Sequence, residues 1–91
     1  MGHTKSNRDQ LVLRVRRIAG QIGAVEKAIA QDAPCETILH QVAGVRGAVL
    51  GLMDELVEEH VREHVARPDL TDAQRAQGAD ELVAAIRRYS K

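Results

Sequence analysis

Between Pro34 and Pro68 the chain has no proline, and its apolar residues recur at Ile38, Val42, Val45, Val49, Leu52 and Leu56. That 4-3-4-3-4 spacing marks a helix with one continuous apolar stripe. It predicts a single helix over about residues 33–66. A helix of roughly 30 residues is about 45 Å long. A compact domain near 100 residues has a radius of gyration of only about 13 Å. The rest of a 91-residue chain is too small to cover such a helix. Its stripe has to be met by another copy.

The flanking segments follow the same logic. From Asn7 to Ala30 the apolar positions are Leu11, Val15, Ile18, Ile22, Val25 and Ile29, again at 4-3-4-3-4 spacing. This predicts a first helix over about residues 7–30. Gly20 and Gly23 each weaken it by up to roughly 1 kcal/mol, and are expected to permit close backbone approach, as are Gly44, Gly47 and Gly51 on the second helix. Asp32 is placed to cap the second helix and Pro34 to occupy its first turn. After the turn Arg67-Pro68-Asp69-Leu70, Thr71 and Gln74 have the spacing of a capping box. They open a third helix over about residues 72–89, whose apolar face holds Leu82, Val83, Ile86 and Tyr89 and whose first half is weakened by Gly78.

Tyr89 is the sole aromatic residue, so the core must be Val, Leu, Ile and Ala. That supply suits helix packing and not a β-sandwich. The expected fold is therefore all-α, a single domain over residues 1–91 with three helices. Helices 1 and 2 of two chains would form an antiparallel four-helix bundle, in a dimer or a larger symmetric assembly.

Net charge is zero, but it is unevenly spread. Residues 1–46 hold seven basic and four acidic groups; residues 47–91 hold six and nine. Lys5, Arg8, Arg14, Arg16 and Arg17 form most of the basic end. Repeated by oligomerisation, that stripe would make an electrostatic footprint for nucleic acid. One cysteine excludes an internal disulfide. With no apolar run suited to a signal peptide or a membrane span, a cytoplasmic protein without membrane contact is expected. No nucleophile elbow, glycine-rich phosphate loop or HExxH pattern is present, so an enzyme is not expected.

The chemistry-bearing residues lie at the ends of the long helix. His60 and His64 are spaced i, i+4, which puts both imidazoles on one face within reach of a single metal ion. The same spacing also occurs in exposed pairs near a helix end. Cys35 sits in the first turn, where the helix N-terminus favours thiolate. Cys35 and His60 are about 37 Å apart along a straight helix, so they can share an ion only across an antiparallel pair of chains. His3 stands in a polar arm beside the amine that Gly2 would present after loss of Met1. Glu63, beside the histidines, is a ligand or a charge neighbour.

Arg14-Val15-Arg16-Arg17-Ile18, Gly20-Gln21, Cys35, Val45-Arg46-Gly47-Ala48, Gly51-Leu52-Met53, His60 and His64 together resemble the CsoR/RcnR/FrmR family of bacterial repressors over nearly the whole chain. The resemblance implies a disc-shaped dimer of dimers that binds double-stranded operator DNA without a helix-turn-helix. It also implies release by copper(I), nickel or cobalt, formaldehyde or sulfur species. Copper(I) members have a second Cys where this chain has His64, and persulfide sensors need two cysteines. The set His3, Cys35, His60 and His64 resembles the nickel/cobalt branch, which regulates metal efflux; zinc would serve as an in vitro surrogate. The alternative is the formaldehyde branch, which here would use Cys35 and the Gly2 amine. For DNA, the resemblance points to Arg14, Arg17 and Arg46, with Arg16 and Lys5 beside them.

Overall fold

The computed structural model describes residues 5–89, with side chains from Asn7 onward. It contains three helices, α1 (Lys5–Ala30), α2 (Cys35–His64) and α3 (Asp72–Tyr89), and no strand among the described residues. The all-α architecture is as expected from the periodicity.

The turn after α1 is built differently from the expectation. Ala33 N–H donates to the Ala28 carbonyl at 2.9 Å and Asp32 N–H to the Ile29 carbonyl at 3.1 Å. These are the two bonds of a Schellman motif, which satisfies carbonyls that the helix end leaves open. Asp32 occupies its left-handed position, with φ of 58°. Asp32 therefore terminates α1 and does not cap α2. The residue before α2 is Pro34, whose carbonyl accepts from Thr37 N–H at 2.9 Å and Ile38 N–H at 3.2 Å. Proline suits this place because its own missing N–H has no role there.

The turn after α2 is fastened more heavily. Ala66 N–H donates to the Val61 carbonyl at 2.7 Å. The Arg75 guanidinium donates to the carbonyls of Val65, Arg67 and Leu70, the latter two at 3.3 Å. The capping box is present in both halves: Thr71 N–H to Gln74 Oε1 at 2.9 Å, and Gln74 N–H to Thr71 Oγ1 at 3.1 Å.

The chain forms two compact units that divide α2 between them. One holds α1 and α2 as far as Met53; the other holds α2 from Asp54 together with α3. In the first unit, Arg14 of α1 lies against Gly51 of α2, so the two helices form an antiparallel hairpin. Each heptad stripe splits into two rows. Leu11, Ile18 and Val25 on α1 are half-buried, while Val15, Ile22 and Ile29 are exposed. On α2, Ile38 and Leu52 are half-buried and Val45 is buried, while Val42, Val49 and Leu56 are exposed. One row of each helix is satisfied within the chain; the row half a heptad away is open. Ala28 and Val45 are the only buried apolar side chains among the described residues.

Within the chain the glycines fall into two groups. A Cβ at Gly20, Gly23, Gly44 or Gly47 would meet nothing within 4 Å. Within the chain they mark no close approach. Gly78 does: a Cβ there would stand 2.0 Å from the His64 carbonyl oxygen. Its absent side chain is what lets α3 lie on the end of α2.

Candidate metal centre and basic face

The i, i+4 spacing on α2 brings His60 and His64 together, with ring centroids 4.9 Å apart and planes tilted by 44°. His60 is fixed from α3. Its Nε2 lies 2.8 Å from the Gly78 carbonyl oxygen, which can only accept, so Nε2 carries the proton. Glu81 Oε1 lies 4.0 Å from the same nitrogen. His60 Nδ1 is then the nitrogen with a lone pair to offer a ligand. This is the arrangement in which an outer-shell carbonyl or carboxylate sets the tautomer of a metal-binding histidine. Gly78 thus contacts both histidines, the ring of one and the backbone of the other. Sequence reasoning missed this role, because an interior helix glycine shows only a loss of propensity until its neighbour is known.

Glu63 is paired locally, four residues along the chain: it accepts from Arg67 Nη1 at 3.3 Å. Arg67 also donates through Nε to Asp69 at 2.8 Å. That hydrogen bond, with the Asp69 backbone, holds the Asp69 carboxyl below its ordinary range, and Arg67 is raised in turn. Asp69 is solvent-exposed and Arg67 half-buried, so the pair orders the turn rather than anchoring the fold. A polar cleft of about 310 Å³ opens beside His64, lined in part by Glu63, Arg67, Gln74, Gln77 and Glu81.

Cys35 is exposed and is the first residue of α2, while His64 is the last. Among the described residues no three candidate ligands gather within one chain. Two imidazoles of borderline softness, with a thiol on the same helix, form a donor set that fits nickel(II), cobalt(II) or zinc(II) better than calcium or magnesium. His3 and Gly2 lie outside the described residues, as does the side chain of Lys5.

The arginines divide by burial. Arg16, Arg17 and Arg46 are exposed. Arg14 is half-buried, its Nη1 lying 3.0 Å from where a Cβ of residue 51 would stand. No helix among the described residues is long and apolar enough to cross a membrane.

Comparison with known proteins converts this anatomy into a class: a small helical regulator of transcription. Residues 7–88 match the family described as metal-sensitive transcriptional repressor. An uncharacterised protein from the bioA 5′ region of Serratia marcescens is 46% identical over the full length of both chains. The transcriptional repressor RcnR of Salmonella paratyphi B is 33% identical, also over the full length of both. A solved structure of a glutamate-to-histidine variant of the formaldehyde-responsive regulator FrmR, from Salmonella enterica serovar Typhimurium, superposes with a TM-score of 0.89 at 41% identity. That match covers 96% of this chain and 98% of the other. The chain belongs to the CsoR/RcnR/FrmR family of metal-sensitive transcriptional repressors, and is not an enzyme.

Proposed function

We propose that the chain is a cytoplasmic, operator-binding repressor released by nickel(II) or cobalt(II), and that it controls a metal-efflux gene. The observation that carries this reading is the histidine pair on α2, with His60 held by Gly78 so that Nδ1 is free to bind. Full-length similarity to RcnR supports the same branch.

The open rows Val15, Ile22, Ile29 and Val42, Val49, Leu56 call for a second copy. Pairing them in an antiparallel four-helix bundle would cover them, and a dimer of dimers would repeat the basic residues of α1 four times. The same antiparallel pairing brings Cys35 of one copy toward His60 and His64 of the other. His3 and the Gly2 amine complete the proposed ligand set, and zinc is expected to occupy it in vitro. Arg14, Arg17 and Arg46, with Arg16 and Lys5, form the basic set that the family resemblance assigns to DNA, where their charges would meet phosphate. A bound metal ion would supply a bridge among ligands from two copies, favouring the form of the assembly in which they converge. Release of DNA follows only if that form holds DNA more weakly.

The test is DNA affinity with and without cobalt. Cobalt is expected to weaken binding, and Cys35→Ala to remove the response. An unchanged affinity, or a retained response in Cys35→Ala, overturns the reading.

The likeness to FrmR favours a second reading, a formaldehyde-responsive repressor. In it the Cys35 thiol and the Gly2 amine would be joined through a one-carbon bridge, formaldehyde losing its oxygen as water. Mass spectrometry after formaldehyde treatment separates the two. A methylene cross-link between Gly2 and Cys35 supports the second reading, and its absence alongside a cobalt response supports the first.

A further inference from the structure

The arginines that the family resemblance assigns to DNA do not share one environment. Arg16, Arg17 and Arg46 present exposed side chains, but Arg14 lies half-buried across α2 at Gly51. Arg14 also takes part in a further interaction within the protein. A glycine inside a helix costs about 1 kcal/mol against alanine. At Gly20, Gly23, Gly44 and Gly47 the missing side chain leaves open space within the chain. At Gly51 it makes room for the guanidinium, whose Nη1 is 3.0 Å from the Cβ position.

We propose that Arg14 is a positioning residue: its guanidinium, seated on Gly51, fixes the setting of α1 against α2, while exposed neighbours such as Arg17 touch phosphate. This rests on the DNA-binding reading above and assigns Arg14 a different part in it. Arg14 is half-buried where Arg17 is exposed, so of the two it is Arg17 whose guanidinium is the more open to a phosphate. Arg17 is one turn further along the same helix, so the seat sets the direction in which Arg17 points. The seat is also sensitive to one methyl group. The atom a Cβ would meet is the far end of a flexible side chain, so a methyl at residue 51 pushes the guanidinium aside by a few tenths of an ångström and leaves the helices in place. Gly51→Ala therefore crowds the Arg14 seat while keeping every charge.

The experiment measures affinity against salt concentration for a fluorescein-labelled duplex taken from upstream of the protein's own coding region. Removing a side chain that neutralises a phosphate makes the logarithmic salt slope shallower by about one. Arg17→Ala is expected to lower affinity with a shallower slope. Arg14→Ala is expected to lower it about five- to tenfold, within the range for coupled neighbouring residues, and Gly51→Ala to lower it less, both with the wild-type slope retained. The double variant should fall no further than Arg14→Ala alone. A slope reduced by Arg14→Ala as much as by Arg17→Ala overturns the proposal, as does additivity of the two effects. Circular dichroism and sedimentation of each variant distinguish an unseated arginine from an unfolded chain. A thermal-stability cycle on the same four proteins reads the seat without DNA. If the wild type shows no salt-dependent binding, the DNA-binding reading fails and Arg14's role in it fails too; coupling in the stability cycle would show that the seat itself survives.

Discussion

The α1–α2 hairpin and the α2–α3 junction solve opposite problems. The junction is closed by its own residues: Gly78 admits the His64 backbone, Arg75 takes three turn carbonyls, and Thr71 and Gln74 cap each other. The hairpin covers one apolar row on each helix and leaves another exposed, with Ile22 at 51% and Ile29 at 57% of full exposure. One region is finished within the chain, and the other leaves an apolar row uncovered. The candidate ligands are divided the same way. His60 and His64 stand at the finished end, where α3 fixes an imidazole, and Cys35 at the unfinished one. Under the proposed reading, the His60 ring is set within its own chain, and the Cys35 thiol would meet its partners only in a second copy.

The largest effect that can break this contrast is expected in the open rows. In the proposed dimer, Ile22→Asp would place a carboxylate in each of two symmetry-related apolar patches. Burial of an unpaired charge costs several kcal/mol. The dimer dissociation constant should rise by at least about a hundredfold, equivalent to about 2.7 kcal/mol. Sedimentation equilibrium reads it directly. Assembly as tight as wild type would mean that the exposed row is not an interface.

The junction should fail by a different route. In Gly78→Ala the new methyl would lie in the place of the His64 carbonyl, a backbone atom that cannot swing away. Overpacking of this kind costs about 3 kcal/mol. Hydrogen exchange should show α3 amides losing protection while those of α1 keep theirs, and the hydrogen bond from His60 to residue 78 should break at the same time. Equal loss of protection in both regions would show that the junction is not an independent structure.

These two regions also explain what could be read from the residues beforehand. The stripes of α1 and α2, the Thr71–Gln74 box and the adjacency of His60 and His64 all depend on spacings of seven residues or fewer, which the helix repeat converts directly into geometry. The split of each stripe into a covered and an open row depends on where the neighbouring helix lies, and the spacing alone is silent on it. Gly78 and Gly51 differ from Gly20 and Gly23 only through tertiary neighbours. Asp32 is the instructive failure. An aspartate two residues before a proline has the composition of an N-cap, but here it is already engaged in closing α1. Two helix ends compete for one residue, and the Schellman bonds of the first prevail.

That competition gives the smallest and most local prediction. Asp32 holds φ of 58°, a region where a side chain costs about 1 kcal/mol and glycine costs little. Glycine loses more backbone entropy on folding, which returns part of that gain. Asp32→Gly should therefore stabilise the chain by about 0.5 kcal/mol, read as a shift in the urea midpoint at unchanged m-value. The turn lies wholly within one chain, so the gain should appear undiminished in the Ile22→Asp background, as expected for independent sites. A gain that vanishes when the dimer is broken would place the turn in the interface and move the boundary between the finished and unfinished regions. A loss of stability would mean that the Asp32 carboxylate contributes more at the turn than its backbone conformation costs.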